Sequence, residues 1–169
     1  MNTPTIETQQ LILRRFTQDD ARALYQILSD EEVNTFLPMF PLKTMEEANA
    51  YIQKQYLDTY QEPFGYRYAV CLKTDHIPIG YVQVSSSESH DFGYGLRKDF
   101  WHKGIITEAG RAVVEELRNS GMPFITATHD IKNPRSGEVM KKLGMIYQYS
   151  YEEQWQPKNI PVTFRMYQL

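Results

Sequence analysis

Hydrophobic and polar positions along the chain change period several times, and each change marks an element. Leu11 to Phe16 (LILRRF) alternates in part, as a half-buried strand does, and Thr17 then caps a stretch whose Ala21, Leu24, Tyr25 and Leu28 form a helical stripe. The aromatic run FLPMFP, Phe36 to Pro41, is broken by two prolines, which exclude a helix interior and predict a loop. Thr44 with Glu47 three residues on is a capping box, and Ala48, Tyr51, Ile52 and Tyr56 carry that helix to about Tyr60. YRYAVCL and IGYVQVSSS predict antiparallel strands joined by a turn over Lys73 to Pro78, and HDFGYGL continues the sheet.

In the second half, Ile106, Ala109, Val113 and Leu117 recur at spacings of three, four and four, and Gly121 followed by Pro123 supplies the stop. FITATH is a short strand. Asn133 stands at the N-cap and Pro134 at the first position of a further helix that ends at Gly144. Strands around Met145 to Glu153 and Val162 to Tyr167 complete the chain. The order β-α-α-β-β-β-α-β-α-β-β predicts an α/β protein (mixed α+β) with helices on the faces of a mixed sheet, and fits neither a regular βαβ array nor an all-β sandwich.

Composition narrows the function. A chain of 169 residues with no long linker is expected to form a single domain over residues 1–169. Eighteen Lys plus Arg against 21 Asp plus Glu give a formal charge of -3, so bulk electrostatics point to neither nucleic acid nor an anionic membrane, and any anion site must be local. The one cysteine, Cys71, sits in an apolar strand and reads as a buried thiol. His76, His90, His102 and His129 lack metal-ligand spacing, and no metal is expected. The segment MNTPTIETQQ has no signal-peptide pattern and no apolar run is long enough to span a bilayer, so a cytoplasmic location is expected.

FWHKGIITEAG, Phe100 to Gly110, opens a helix with no acidic residue before Glu108. A strand, a turn and a helix in succession leave free N–H groups at the helix start, where the macrodipole also favours an anion. A P-loop pattern appears nowhere, and the dinucleotide fingerprint begun by Gly93-Tyr94-Gly95 has Lys98 in place of its last glycine, at the sixth position. Taken alone, Gly104 is equally an ordinary turn glycine. In the strand DFGYGL, Asp91, Gly93 and Gly95 share one face, so a bulge or a closely approaching ligand is expected there.

DFGYGLRKDFWHKGIITEAGRAVVEEL followed by NPRSGEVMKKLGM resembles the acetyl-CoA-binding core of the GNAT superfamily of N-acyltransferases. With ETQQLILRRFTQDDARALYQILSDEEV and IPIGYVQV, the resemblance covers nearly the whole chain and extends to the subgroup similar to ribosomal-protein N-terminal alanine acetyltransferases. It implies a central, mostly antiparallel twisted sheet of about seven strands with a splayed, cofactor-binding strand pair, acetyl-CoA as acyl donor and a primary amine as acceptor. The pyrophosphate loop pattern falls on Trp101, His102, Lys103, Gly104, Ile105 and Ile106, with Thr107 following. Trp101 replaces the usual Arg or Gln, and Ile106 stands where Gly or Ala is usual, which leaves open whether the phosphates have room there. The same resemblance assigns Asn133 to the pantetheine arm, Ser136 to the neighbourhood of the thioester sulfur as the acid, and the strand Phe92, Gly93 and Tyr94 to the cofactor.

Aminolysis of a thioester needs a neutral amine and a stabilised oxyanion. An amide within Phe92 to Gly95 is the candidate oxyanion donor; Asp91 is the candidate base, with Glu88 and His90 as neighbours in the same role. An α-amine is roughly 14% neutral at pH 7 and a lysine only about 0.04%, so a weak base suits a peptide N-terminus better. Polyamine and drug amines stay open. Phe36, Phe40 and Trp155 are the expected acceptor walls, and Phe164 is expected to pack the sheet. A non-catalytic acyl-CoA-binding domain, a general interaction domain and a homodimer are also left open.

Overall fold

The computed structural model describes residues 1–169. Strands β1 (Ile6–Glu7), β2 (Leu11–Arg14), β3 (Tyr66–Leu72), β4 (Pro78–Val84) and β5 (Phe92–Leu96) form one antiparallel sheet in that order. Strands β6 (Thr126–Asp130), β7 (Ile146–Trp155) and β8 (Ile160–Gln168) form a second sheet in the order β6-β8-β7. The expected mostly antiparallel sheet of about seven strands with one splayed pair is present as eight strands in two hydrogen-bonded parts, of five and three. β1, too short for a periodic signal, is the added strand.

Both faces of the larger sheet are covered. Alternation along β3 sends Tyr68 and Val70 into one core and Ala69 and Cys71 into another, as period 2 requires of a strand buried on both sides. The first core is closed by α4 (Ile105–Asn119) through Ile105, Ala109, Val113 and Leu117, and by α5 (Pro134–Lys142) through Met140. The second is closed by α1 (Ala21–Leu28) through Leu24, Ile27 and Leu28, and by α3 (Met45–Ile52) through Ala48 and Ile52. Burial pushes the Cys71 thiol up to about 11, consistent with an inert core thiol.

Local sequence accounts for most boundaries. The Thr44 hydroxyl accepts from the Glu47 amide at 3.1 Å, and α3 runs on through a π-helical turn and a 3-10 turn to Gln61. Thr17 pairs with Asp20, which also takes a bidentate ion pair from Arg14 at 2.8 and 3.0 Å. One helix was not expected: α2 (Glu31–Asn34) starts where Asp30 accepts from the amides of Glu32 and Val33, at 2.8 and 3.3 Å. Four residues leave no room for a hydrophobic stripe, so the periodicity carries no sign of it.

The two sheets meet at one place. Asp91 and Thr126 make a single parallel bridge, Thr126 donating its amide to His90 O at 3.2 Å and its hydroxyl to Ser89 O at 2.8 Å. Beyond it β5 and β6 share no ladder, and the slot between them leaves the outer edge of β5 without a strand partner.

Candidate active site

The slot is bounded at one end by α4. Its N-cap, Gly104, has φ +72°, and a Cβ there would meet nothing within 4 Å. No side chain caps the helix. The amides of its first turn, at Ile105, Ile106 and Thr107, therefore face outward at the positive end of the dipole. The Ile106 side chain is 9% exposed and packed in the core with Ala109 and Val113. Glu108, the first acid of the helix, is drawn aside by Thr8 Oγ1 at 2.6 Å and Gln10 Nε2 at 3.1 Å. A groove of about 860 Å³ runs between that β1–β2 turn and α4, bordered by Lys103, Gly104 and Thr107.

The loop before α4 is tied down by its aromatic residues. Trp101 Nε1 donates to Leu96 O at 2.8 Å, and Lys103 Nζ lies 5.5 Å from the centroid of the Phe100 ring. His102, at φ +64°, accepts at Nε2 from Arg135 Nη1 at 2.5 Å. That contact joins the start of α4 to the start of α5.

At α5, Asn133 occupies the N-cap position, but its side chain caps no amide, contrary to the plain capping role. Ser136, in the first turn, is half-buried and contacts Tyr94 of β5: Tyr94 Oη donates to Ser136 O at 3.0 Å and meets Ser136 Oγ. Phe92, 2% exposed, turns its ring into the core, which leaves only its backbone to the slot. The two strand glycines differ. A Cβ on Gly93 would meet only Gln83 Cγ at 3.9 Å, whereas one on Gly95 would strike the Tyr81 ring at 2.5 Å, so Gly95 answers a packing neighbour.

Asp91 stands just before β5. Although the residue is exposed as a whole, protein crowds water from around its carboxyl, and that desolvation pushes the pKa up to about 6. Its negative charge is among the causes that raise the Tyr151 phenol, after burial and Glu153, which places Tyr151 of β7 near it. The two neighbouring candidates fare differently: Glu88 is an exposed turn residue, and the His90 ring packs on Phe124 with centroids 5.0 Å apart.

The expected acceptor walls come from two elements. Trp155 packs edge-on to the buried Phe164 at 5.6 Å, as expected for a sheet-packing phenylalanine. Lys158, in the β7–β8 turn, donates to Asn34 O at 2.6 Å and lies 5.6 Å from the Trp155 ring, tying that hairpin to α2 beside the half-buried Phe36. Phe40 is 58% exposed and stands apart from this tie. Lys158 has no carboxylate partner, and desolvation lowers its pKa. Its role was invisible beforehand because it rests on a contact 124 positions away. No group of three His, Cys, Asp or Glu residues is arranged to hold a metal, and no helix is long and apolar enough to cross a membrane.

Comparison with solved structures places the fold. A GNAT-family acetyltransferase from Bacillus anthracis superposes with a TM-score of 0.84 at 21% identity, covering 98% of both chains. An acetyltransferase from Salmonella typhimurium that modifies the N-terminal serine of a 50S ribosomal subunit protein gives 0.84 at 16% identity, again over 98% of each chain. A microcin self-immunity acetyltransferase in complex with acetyl-CoA and AMP gives 0.81 at 17%, covering 96% of this chain and 93% of the other. No curated sequence matches the chain. The sequence profile of the acetyltransferase (GNAT) domain matches residues 10–146, and the chain therefore belongs to the GNAT family of acetyl-CoA-dependent N-acetyltransferases.

Proposed function

We propose that the protein transfers the acetyl group of acetyl-CoA to a primary amine by direct attack, and that the acceptor is the N-terminal amine of a protein or peptide. The observation that carries the donor half is the uncapped start of α4 at Gly104, opening beside the unpaired edge of β5. The pyrophosphate is seated on the amides of Ile105, Ile106 and Thr107, with His102 and Lys103 at the rim and Trp101 bracing the loop. The pantetheine arm lies along Phe92, Gly93 and Tyr94 and meets the free side chain of Asn133.

An amide of β5 steadies the oxyanion, and Ser136 donates a hydrogen bond to the departing sulfur. Asp91 receives the amine's proton through water; ionised above about pH 6, it is a weak base. Such a base suits an α-amine, of which roughly 14% is neutral at pH 7, better than a lysine. Phe36, Phe40 and Trp155 line the acceptor side. Relatives of similar fold include one that acts on a ribosomal-protein N-terminus, which supports this acceptor class and a cytoplasmic setting.

Thiol release from acetyl-CoA, followed across N-terminal peptides, polyamines and aminoglycosides, tests the reading. Turnover on peptides with a free α-amine is expected; preference for a small-molecule amine replaces the acceptor assignment. A protein that binds acetyl-CoA and releases no thiol with any amine is a binding domain instead.

A further inference from the structure

Tyr94 reaches from β5 to the first turn of α5, where its Oη lies 3.0 Å from the carbonyl oxygen of Ser136 and also touches Ser136 Oγ. Two hydroxyl protons thus serve three oxygens. A carbonyl only accepts. When Tyr94 donates to it, the proton between the two hydroxyls must be the serine's, and Ser136 has none left for the cleft. When Tyr94 donates to Oγ instead, the serine proton is free to point outward. The orientation of the tyrosine proton therefore selects whether Ser136 faces the cleft as acceptor or as donor.

We infer that Tyr94 is a positioning residue for acyl transfer: by moving its hydrogen bond from the carbonyl to the Oγ of Ser136, it aims the serine proton at the departing sulfur. The inference rests on the acetyl-transfer reading above. As the carbon–sulfur bond breaks, its electron pair goes to sulfur, which accepts a hydrogen bond from Ser136 Oγ–H. Charge drawn onto Oγ is met from behind by Tyr94 Oη–H. Neither residue loses its proton, and the proton displaced from the amine leaves through water towards Asp91. Burial pushes the Tyr94 phenol up to about 12, so it stays a donor throughout the neutral range. Its ring packs 5.8 Å from that of Phe92, which holds the hydroxyl over α5.

Tyr94→Phe keeps the packed ring and removes only the hydroxyl. It should lower kcat about tenfold, the rate equivalent of one hydrogen bond, with the KM for acetyl-CoA unchanged within about twofold. In a Ser136→Ala background the same substitution should cost nothing further, because the two hydroxyls act as one unit. In solution, Ser136→Ala should also shift the NMR resonance of Tyr94 Cζ, assigned by its loss in Tyr94→Phe. Losses that multiply in the double variant, or a Cζ resonance that does not move, overturn the role of Tyr94 while leaving acetyl transfer intact. A wild-type protein that releases no thiol with any amine overturns the acetyl-transfer reading and this inference with it.

Discussion

The ring of Tyr81 fills the space beside Gly95, its direct partner in the β4–β5 register, so closely that a Cβ on Gly95 would come within 2.5 Å of Cε1. Gly95→Ala should therefore destabilise the fold by about 1–3 kcal/mol, the usual cost of forcing extra volume into a packed site. Denaturant unfolding measures it. In a Tyr81→Leu background the same alanine should cost much less; an equal loss in both backgrounds contradicts the assignment of Gly95 to packing.

Ile106 is a core residue in the first turn of α4, the turn proposed to seat the pyrophosphate. Its truncation to alanine should cost about 2–4 kcal/mol of stability, as for other buried aliphatics. Calorimetric affinity for acetyl-CoA should stay within about twofold, well under 1 kcal/mol. A large gain in affinity would mean that the side chain does stand in the way of the phosphates.

Asp91 gives the protein a pH dependence of known sign. Its carboxylate is the proton-accepting form, so kcat/KM should climb as pH rises through about 6, and that limb should vanish in Asp91→Asn. For stability the sign is opposite. The folded state holds the proton more tightly than the ordinary 3.8, so stability is lost as pH rises from there towards 6. Asp91→Asn should raise the melting temperature relative to wild type above pH 6 and leave it unchanged in strong acid; a variant less stable at neutral pH contradicts this.

Lys158 holds the β7–β8 turn to the end of α2 through the Asn34 carbonyl. Lys158→Met keeps an unbranched side chain of similar size and removes the charge-assisted bond, worth about 1.5–3 kcal/mol. Steady-state kinetics should show a higher KM for the acceptor with the KM for acetyl-CoA unmoved. The reverse pattern would place the tie outside the acceptor site.

What sequence alone reveals here tracks the range of the interactions. Thr44 with Glu47, and Gly144 at φ +89°, act within one helical turn, and both helix boundaries follow from them. The uncapped start of α4 is local too: no acidic residue precedes Glu108 in it, and no side chain caps it. The break between β5 and β6 is different in kind, because periodicity says which residues alternate and nothing about which edges pair. Tyr94 and Ser136 lie 42 positions apart, and Lys158 and Asn34 are 124 apart, so neither pair leaves a pattern in a single chain. The orientation of Ile106 is illegible for a related reason: whether a side chain in a turn faces outward or into the core depends on the sheet packed beneath it.

In the function proposed above, the open edge of β5 and the uncapped turn of α4 together receive acetyl-CoA. Titration calorimetry of the wild type with acetyl-CoA, beside Gly104→Val, tests it most directly. A β-branched residue is strained at φ +72° and disturbs the turn without touching the core. One site of about micromolar affinity is expected in the wild type, with at least about a tenfold loss in the variant. No heat of binding from the folded wild type at millimolar acetyl-CoA would contradict it.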